Sequence, residues 1–155
     1  MSEMLRELYQ QVIVDHNRSP QNFGRPEHAD CSVEGYNPLC GDHYTIFLQL
    51  DGDIVKEIGF EGAGCAISKS SASIMTTIVK GKTREEINRL FEGFTKMVKG
   101  ELSDEEIEAL GKLAVFQGVQ EFPTRTKCAT LSWHAMASAL RGEGETISTE
   151  VASES

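Results

Sequence analysis

The spacing of apolar residues changes near Cys65, and this change restricts the possible fold more than any other feature of the sequence. Before it, apolar-patterned runs over 30–36, 43–50 and 53–61 predict three β-strands. Asp51-Gly52 separates the last two runs, and Asp-Gly in such a place is a strong hairpin signal. After Cys65 the spacing is helical. The two halves predict an α+β fold in which a three-stranded antiparallel sheet packs against helices.

About five helices complete the predicted fold. Apolar residues at helical spacing predict helices over 3–16, 65–80 and 128–141. Thr83-x-x-Glu86 and Ser103-x-x-Glu106 are capping-box sequences, and each opens a further segment of helical periodicity. The apolar stripe after the second capping box continues through Leu113 and Ala114.

One domain is expected, because the chain of 155 residues has no internal repeat and no linker between two cores. We predict that this domain spans residues 1–141. Residues 142–155 contain four Glu, no basic residue and little apolar content, which is typical of a disordered acidic tail.

Composition and charge exclude several classes of protein. The formal net charge is −9 and the 15 basic residues form no stripe, so nucleic acid is not an expected partner. No run of about 18 apolar residues is present, so no membrane span is predicted. The amino-terminal sequence lacks a signal-peptide core, and we therefore expect a cytoplasmic protein.

The four cysteines are the main candidates for chemistry. Thiols in a reducing compartment rarely form disulfides, and these could be buried fillers, metal ligands or nucleophiles. Cys40 lies in a turn-rich loop, whereas Cys65 and Cys128 lie at predicted helix starts. The amino-terminal end of a helix favours negative charge and lowers the pKa of a thiol. Cys31 lies in an ordinary strand-like run and is interpreted as a passive, partly buried side chain.

Local sequence does not by itself establish a metal site. Asp42 follows Cys40 by two residues, so in an extended segment both side chains can reach one ion, although Asp42 is also a common turn residue. The chain has no C-x-x-C and no H-x₃₋₅-H motif. Its scattered histidines are interpreted as surface or capped residues: His16, His28, His43 and His134.

Five stretches, taken together and in order, carry a more specific signal. They are Leu-Tyr-Gln-Gln-Val-Ile (8–13), Asn-Pro-Leu-Cys-Gly-Asp (37–42), Leu-Asp-Gly-Asp-Ile-Val (50–55), Phe-Glu-Gly-Ala-Gly-Cys-Ala-Ile-Ser (60–68) and Arg-Thr-Lys-Cys-Ala-Thr-Leu-Ser-Trp (125–133). On these stretches the chain, from about Leu5 to Arg141, resembles the IscU-like family of iron–sulfur cluster assembly proteins, and within it the SufU branch.

This resemblance implies a ligand set and a reaction. Cys40, Asp42, Cys65 and Cys128 match the family's metal-binding positions, and zinc is the expected metal. Such proteins take sulfur from a PLP-dependent cysteine desulfurase, and the residue matching Cys40 receives it as a persulfide for downstream cluster assembly proteins. That cysteine is freed when the desulfurase supplies a competing ligand to the zinc. Arg125 also matches a functionally relevant position, so we expect Cys40 and Arg125 to be catalytic.

Three functions stay open at this point. The first is a zinc-dependent sulfurtransferase. The second is a scaffold on which iron or an iron–sulfur cluster occupies the same ligands. The third is a structural zinc module. Lys127 replaces the histidine of IscU scaffolds, and 62 residues separate Cys65 from Cys128; both are SufU traits that favour the sulfurtransferase. Asp42 argues against the structural module, because purely structural zinc sites usually use Cys and His.

The predicted ligand set suits zinc. Three thiolates and one carboxylate make a closed set of four, the number that zinc prefers. Together with Zn²⁺ they leave a net charge of about −2. Arg125 and Lys127 flank Cys128 and are placed by sequence to offset that charge.

Overall fold

An antiparallel sheet forms one layer of the protein, whose computed structural model describes residues 3–38 and 41–141 and the backbone of 147–148. Its strands are β1 (Cys31–Asn37), β2 (Asp42–Asp51) and β3 (Ile54–Ala63), with β2 in the centre. Both pairings are antiparallel, and the tight connection between β2 and β3 at Gly52, with φ of 61°, forms the predicted hairpin. The predicted three-stranded sheet is confirmed.

Helices form the other layer. In the part of the chain that the structure describes, the α-helices are α1 (Glu3–Arg18), α2 (Ala66–Val79), α3 (Arg84–Val98), α4 (Asp104–Ala109) and α5 (Thr126–Leu140). Both capping boxes form: Thr83 and Ser103 each accept a hydrogen bond from the backbone N–H three residues later. The α+β class and the number of helices agree with the sequence prediction.

The structure of the segment after Ser103 differs from the continuous helix that its periodicity predicts. Instead of continuing as an α-helix, α4 ends at Ala109, and residues Gly111–Glu121 form a 3₁₀ helix. Gly111 has φ of 61°, in the left-handed region, so the α-helical ladder cannot pass through it. A second, short 3₁₀ turn, Pro123–Arg125, leads directly into α5.

The helices α2 and α5 cover one face of the sheet and are themselves packed tightly together. The core between these layers includes Tyr44, Phe60 and Trp133, all fully buried. A Cβ atom added at Gly35 of β1 would lie 3.1 Å from Leu131 Cδ1, so this glycine permits the close approach of α5. Buried serines line α2, and the Ser71 hydroxyl donates to the Ala129 carbonyl at 2.5 Å.

The structure describes the predicted acidic tail only in part. Within the predicted tail, residues 147–148 form a two-residue strand, β4, that pairs in parallel with Gly35 and Tyr36 of β1. The remainder of 142–155 lies outside the described residues, so its predicted disorder stays a prediction. Among the helices that are described, none combines the length and apolar character needed to cross a membrane.

Candidate metal centre

Three of the predicted ligands converge at one end of the sheet. Asp42 is the first residue of β2, Cys65 immediately precedes α2, and Cys128 lies in the first turn of α5. One ligand atom from each lies within 4.8 Å of the others. Asp42 and Cys128 are buried, with exposed fractions of 0% and 1%, and Cys65 is half-buried. The fourth predicted ligand, Cys40, lies outside the described residues.

Cys65 is the N-cap residue of α2, as its predicted position at a helix start implies. Its sulfur accepts a hydrogen bond from the backbone N–H of Ser68 at 3.4 Å. A hydrogen bond from Cys128 to this sulfur lowers the pKa of Cys65 to about 6; burial opposes the shift, and Ser68 assists it. Cys65 is therefore poised to be a thiolate at neutral pH, the form that binds metals.

Asp42 is held by donors on both of its carboxylate oxygens. The backbone N–H of Cys65 donates to Oδ1 at 2.8 Å, and the side-chain amide of Asn37 lies 3.4 Å from Oδ2. Since a buried carboxylate is costly unless its oxygens are paired, these contacts explain how Asp42 can remain in the interior. They also leave its side chain in one fixed orientation toward the two sulfurs.

Gly64 brings the start of α2 against this carboxylate. A Cβ atom at position 64 would lie 2.5 Å from Asp42 Oδ1, 2.6 Å from Ser68 Oγ and 2.7 Å from the Tyr44 hydroxyl. Tyr44 and Ser68 in turn share a hydrogen bond of 3.0 Å, and burial raises the pKa of Tyr44. The site therefore has no room for any side chain at this position.

The donor atoms suit a thiophilic metal such as zinc. Two donors bound to one tetrahedral zinc lie roughly 3.3–3.8 Å apart, so the observed cluster needs shifts of only about 1 Å to close around an ion. Two thiolates and a carboxylate supply three of the four positions that zinc prefers. Among the described residues, this cluster includes no histidine and does not include Cys31.

Arg125 and Lys127 occupy the predicted positions beside Cys128. Arg125 is the N-cap residue of α5 and its side chain is exposed, whereas Lys127 is half-buried in the first turn. A cavity of about 530 Å³ opens next to the site. It is lined by Cys65, Arg125 and the Arg6–Glu121 ion pair, together with other residues that include the apolar Ile13 and Phe122. An approaching group can therefore reach the Cys65 side of the cluster next to a cation.

Cys31 and two of the histidines lie in other surroundings. Cys31 is half-buried on β1, and burial with the nearby Asp30 carboxylate raises the pKa of its thiol. His16 Nδ1 lies 2.7 Å from the Ser73 hydroxyl, and His134 packs edge-on against Phe91. The half-buried position of Cys31 fits its interpretation as a passive side chain, and the hydrogen bond of His16 fits a capped histidine.

Sequence reasoning missed four residues that shape the site: Asn37, Tyr44, Gly64 and Ser68. Ser68 could have been identified, because it follows Cys65 by three residues, the spacing at which an N-cap side chain accepts a backbone hydrogen bond. Asn37 and Tyr44 give no such local signal. The contact of Asn37 with Cys128 depends on how β1 packs against α5, and that of Tyr44 with Ser68 on how β2 packs against α2.

Comparisons with known proteins identify close relatives of this chain. The family model described as the NifU-like N terminal domain matches residues 8–129. The zinc-dependent sulfurtransferase SufU of Bacillus subtilis (strain 168) is 46% identical over 129 residues, which are 83% of this chain and 86% of the relative. The iron–sulfur cluster assembly scaffold protein IscU of Streptococcus pyogenes serotype M1 is 38% identical over 137 residues, 88% of this chain and 85% of the relative.

A solved structure agrees with these matches. The crystal structure of FiSufU from Fervidobacterium islandicum AW-1 superposes with a TM-score of 0.78 at 34% sequence identity. The superposition covers 90% of this chain and 99% of the other.

Proposed function

The chain belongs to the family of NifU-like N-terminal domains, and from this premise we propose that it is a zinc-dependent sulfurtransferase of iron–sulfur cluster assembly. The observation that carries the proposal is the convergence of Asp42, Cys65 and Cys128, whose ligand atoms lie within 4.8 Å of one another. The 46% identity to the B. subtilis relative, which is named a zinc-dependent sulfurtransferase, supports the same reading.

The proposed ligands are Cys40, Asp42, Cys65 and Cys128. Zinc, when bound, keeps thiols in the thiolate form at neutral pH without taking part in redox chemistry. Cys40 belongs to residues 38–41, the connection between β1 and β2, whereas Cys65 and Cys128 lie at helix starts. Releasing a ligand from a connecting loop disturbs less packing than releasing one from a helix terminus, so Cys40 is the proposed carrier.

The proposed reaction moves one sulfur atom between two cysteines. The Cys40 thiolate attacks the terminal sulfur of a persulfide on a PLP-dependent cysteine desulfurase. A new S–S bond forms at Cys40, the S–S bond of the donor breaks, and the donor cysteine leaves as a thiolate, so no external oxidant or reductant is needed. Arg125, beside the cavity that reaches Cys65, is the proposed cation that favours the incoming anionic sulfur.

Mass spectrometry tests the carrier role. The zinc-loaded protein is incubated with a cysteine desulfurase and cysteine. Cys40 should gain about 32 Da, the mass of one sulfur atom, before any other cysteine does. Cys40→Ser should abolish both this gain and the stimulation of the desulfurase, whereas Cys31→Ser, the matched control, should retain both. Sulfur appearing first on Cys65 or Cys128 would contradict the proposal, as would full stimulation by Cys40→Ser.

The second candidate function is a cluster scaffold on the same ligands. Its support is the 38% identity to an IscU scaffold protein. Anaerobic reconstitution with iron and sulfide distinguishes the two functions, because a scaffold should hold a cluster with visible absorption that survives desalting. A sulfurtransferase should instead retain zinc, and Cys40 should bind that zinc again after it has released its sulfur.

A further inference from the structure

Asn37 places its side-chain amide between two of the proposed ligands. It is the last residue of β1, faces Asp42 across the sheet and is only 1% exposed. Its Nδ2 atom lies 3.4 Å from Asp42 Oδ2 and 3.5 Å from Cys128 Sγ. These are long hydrogen bonds, yet the same nitrogen reaches both ligands although they belong to different layers of the fold, β2 and α5.

The chemistry of the amide matches this position. A carboxamide NH₂ group has two hydrogens, and here it faces two acceptors that are both anionic when they bind a metal. Rotating the amide would point its oxygen at the carboxylate and the thiolate instead, which is repulsive. The contacts therefore fix the orientation of Asn37 and make these two hydrogen bonds charge-assisted when the acceptors are ionised.

Asn37 also offsets part of the negative charge of the proposed ligands. Three thiolates and a carboxylate around a divalent ion leave a net charge of about −2, and N–H donors directed at the ligands reduce the cost of burying it. The backbone N–H of Cys65 serves Asp42 Oδ1, and that of Ser68 serves the Cys65 sulfur. Asn37 serves the other carboxylate oxygen and the Cys128 sulfur, so it completes this set of donors.

We infer that Asn37 is a positioning residue that holds Asp42 and Cys128 together, so that the metal stays bound while Cys40 is occupied with sulfur. The inference rests on the proposed function, because it assumes that Cys40 leaves the metal and the other three ligands remain. Asn37 then matters most when only those three ligands hold the ion. Outer-shell hydrogen bonds of this kind typically change metal affinity by about 10- to 100-fold.

Zinc affinity, measured by competition with a chromogenic chelator, tests this role without relying on activity. Asn37→Ala and Asn37→Ser should bind zinc about 10- to 100-fold more weakly than the unsubstituted protein. Asn37→Asp should lose more, because a carboxylate of the same shape would face two anions with no N–H to donate. Asn88→Asp, an identical change at an exposed position of α3, should leave the affinity unaltered.

A second background separates positioning from general support of the fold. Each Asn37 variant is combined with Cys40→Ser, and the fold-loss of zinc affinity is compared with that in the background that keeps Cys40. Positioning predicts a larger fold-loss when Cys40 is absent, whereas a purely structural role predicts the same loss in both backgrounds. Circular dichroism of the zinc-free proteins identifies the variants that keep the native fold.

The outcomes are distinct. Unaltered zinc affinity in any folded Asn37 variant overturns the inference. An equal loss of affinity with and without Cys40 also overturns it. So does unfolding of all three Asn37 variants both with and without zinc. If the unsubstituted protein itself binds no zinc, the proposed function fails. If it binds zinc and transfers sulfur while the Asn37 variants behave like Asn88→Asp, only the role of Asn37 is wrong.

Discussion

Two regions of this molecule are stabilised in opposite ways. In one, which we call the ligand corner, the buried side chains carry polar or thiol groups: Asn37, Asp42, Ser68 and Cys128. Cys65 is half-exposed there, and the exposed Gly64 lies directly against Asp42 and Ser68. In the other, the helical layer formed by α3, α4 and the 3₁₀ helix Gly111–Glu121, the buried groups are apolar: Ile87, Phe94, Met97, Val98, Ile107, Leu113, Ala114, Phe116 and Val119. The polar side chains that form its caps, and the ion pairs along α3, are exposed.

The difference shows how the fold can combine a stable apolar region with the candidate metal site. Apolar burial in the helical layer is independent of any ligand and contributes stability in proportion to area. The ligand corner instead needs each polar atom to keep its partner, because an unpaired buried donor or acceptor costs about 1–3 kcal/mol. A change confined to one region should therefore leave the characteristic property of the other intact. Three experiments test that separation, and a fourth tests a histidine of α5 that packs against the helical layer.

Removal of a ligand should give the largest effect. Cys128→Ala should lower the free energy of unfolding of the zinc-loaded protein by about 4 kcal/mol or more, since metal-binding energy is also folding energy. Urea denaturation with and without a chelator measures this loss, and the chelator should add little to the variant. Cys31→Ala is the control and should cost about 1 kcal/mol. Equal losses for the two substitutions would contradict the separation.

Adding one methyl group should change stability by an intermediate amount, and by different amounts in the two regions. Gly64→Ala places a Cβ within 2.7 Å of three polar atoms and should cost about 1–3 kcal/mol, with weaker metal binding. Gly118→Ala, in the 3₁₀ helix, finds open space and should be neutral or stabilising by up to about 1 kcal/mol. Thermal denaturation of both variants measures the difference. A stable Gly64→Ala protein would show that the ligand corner adjusts more freely than its contacts indicate.

Loss of a helix cap should weaken the helical layer alone. Thr83→Ala and Ser103→Ala each remove a capping box and should cost about 1 kcal/mol. Zinc affinity should not change, because neither cap contacts a proposed ligand. Ser19→Ala, at an exposed position after α1, serves as the control for both measurements. A cap variant that lost zinc affinity would show that the two regions are coupled.

Acidification should give the smallest effect. Burial of His134 against Phe91, with Arg141 and Lys99 nearby, lowers the pKa of its imidazole below the usual 6.5. The unfolded chain then binds more protons than the folded chain, so stability falls as the pH drops below 6.5 toward the folded pKa. In zinc-free protein, His134→Gln should make the free energy of unfolding depend less on pH. Urea titrations between about pH 7.5 and 5, a range that brackets the pKa of histidine, measure this change. An unchanged slope would contradict the assignment.

The sequence predicted features that depend on neighbouring residues. The hairpin at Asp51-Gly52 and the caps at Thr83 and Ser103 appear where local patterns indicate them, because each is decided within a few positions. The break at Gly111 was not anticipated, since an apolar stripe continues across it and conceals a left-handed glycine.

The candidate site was predicted less from local pattern than from family resemblance. Local sequence identified Cys65 as a helix start but could not bring it together with Asp42 and Cys128, which is a property of the packed layers. The role of Asn37 was beyond reach for the same reason: its two contacts join β1 to residues on β2 and α5.

The wide spacing of the ligands along the chain also determines when a metal can act during folding. More than half of the chain separates Asp42 from Cys128, so closing that loop carries a substantial entropic cost before the ligands can meet. Contacts that form after the transition state alter the unfolding rate and leave the folding rate nearly unchanged. We therefore expect a metal bound here to slow unfolding rather than to nucleate folding, so that it lengthens the lifetime of the folded protein.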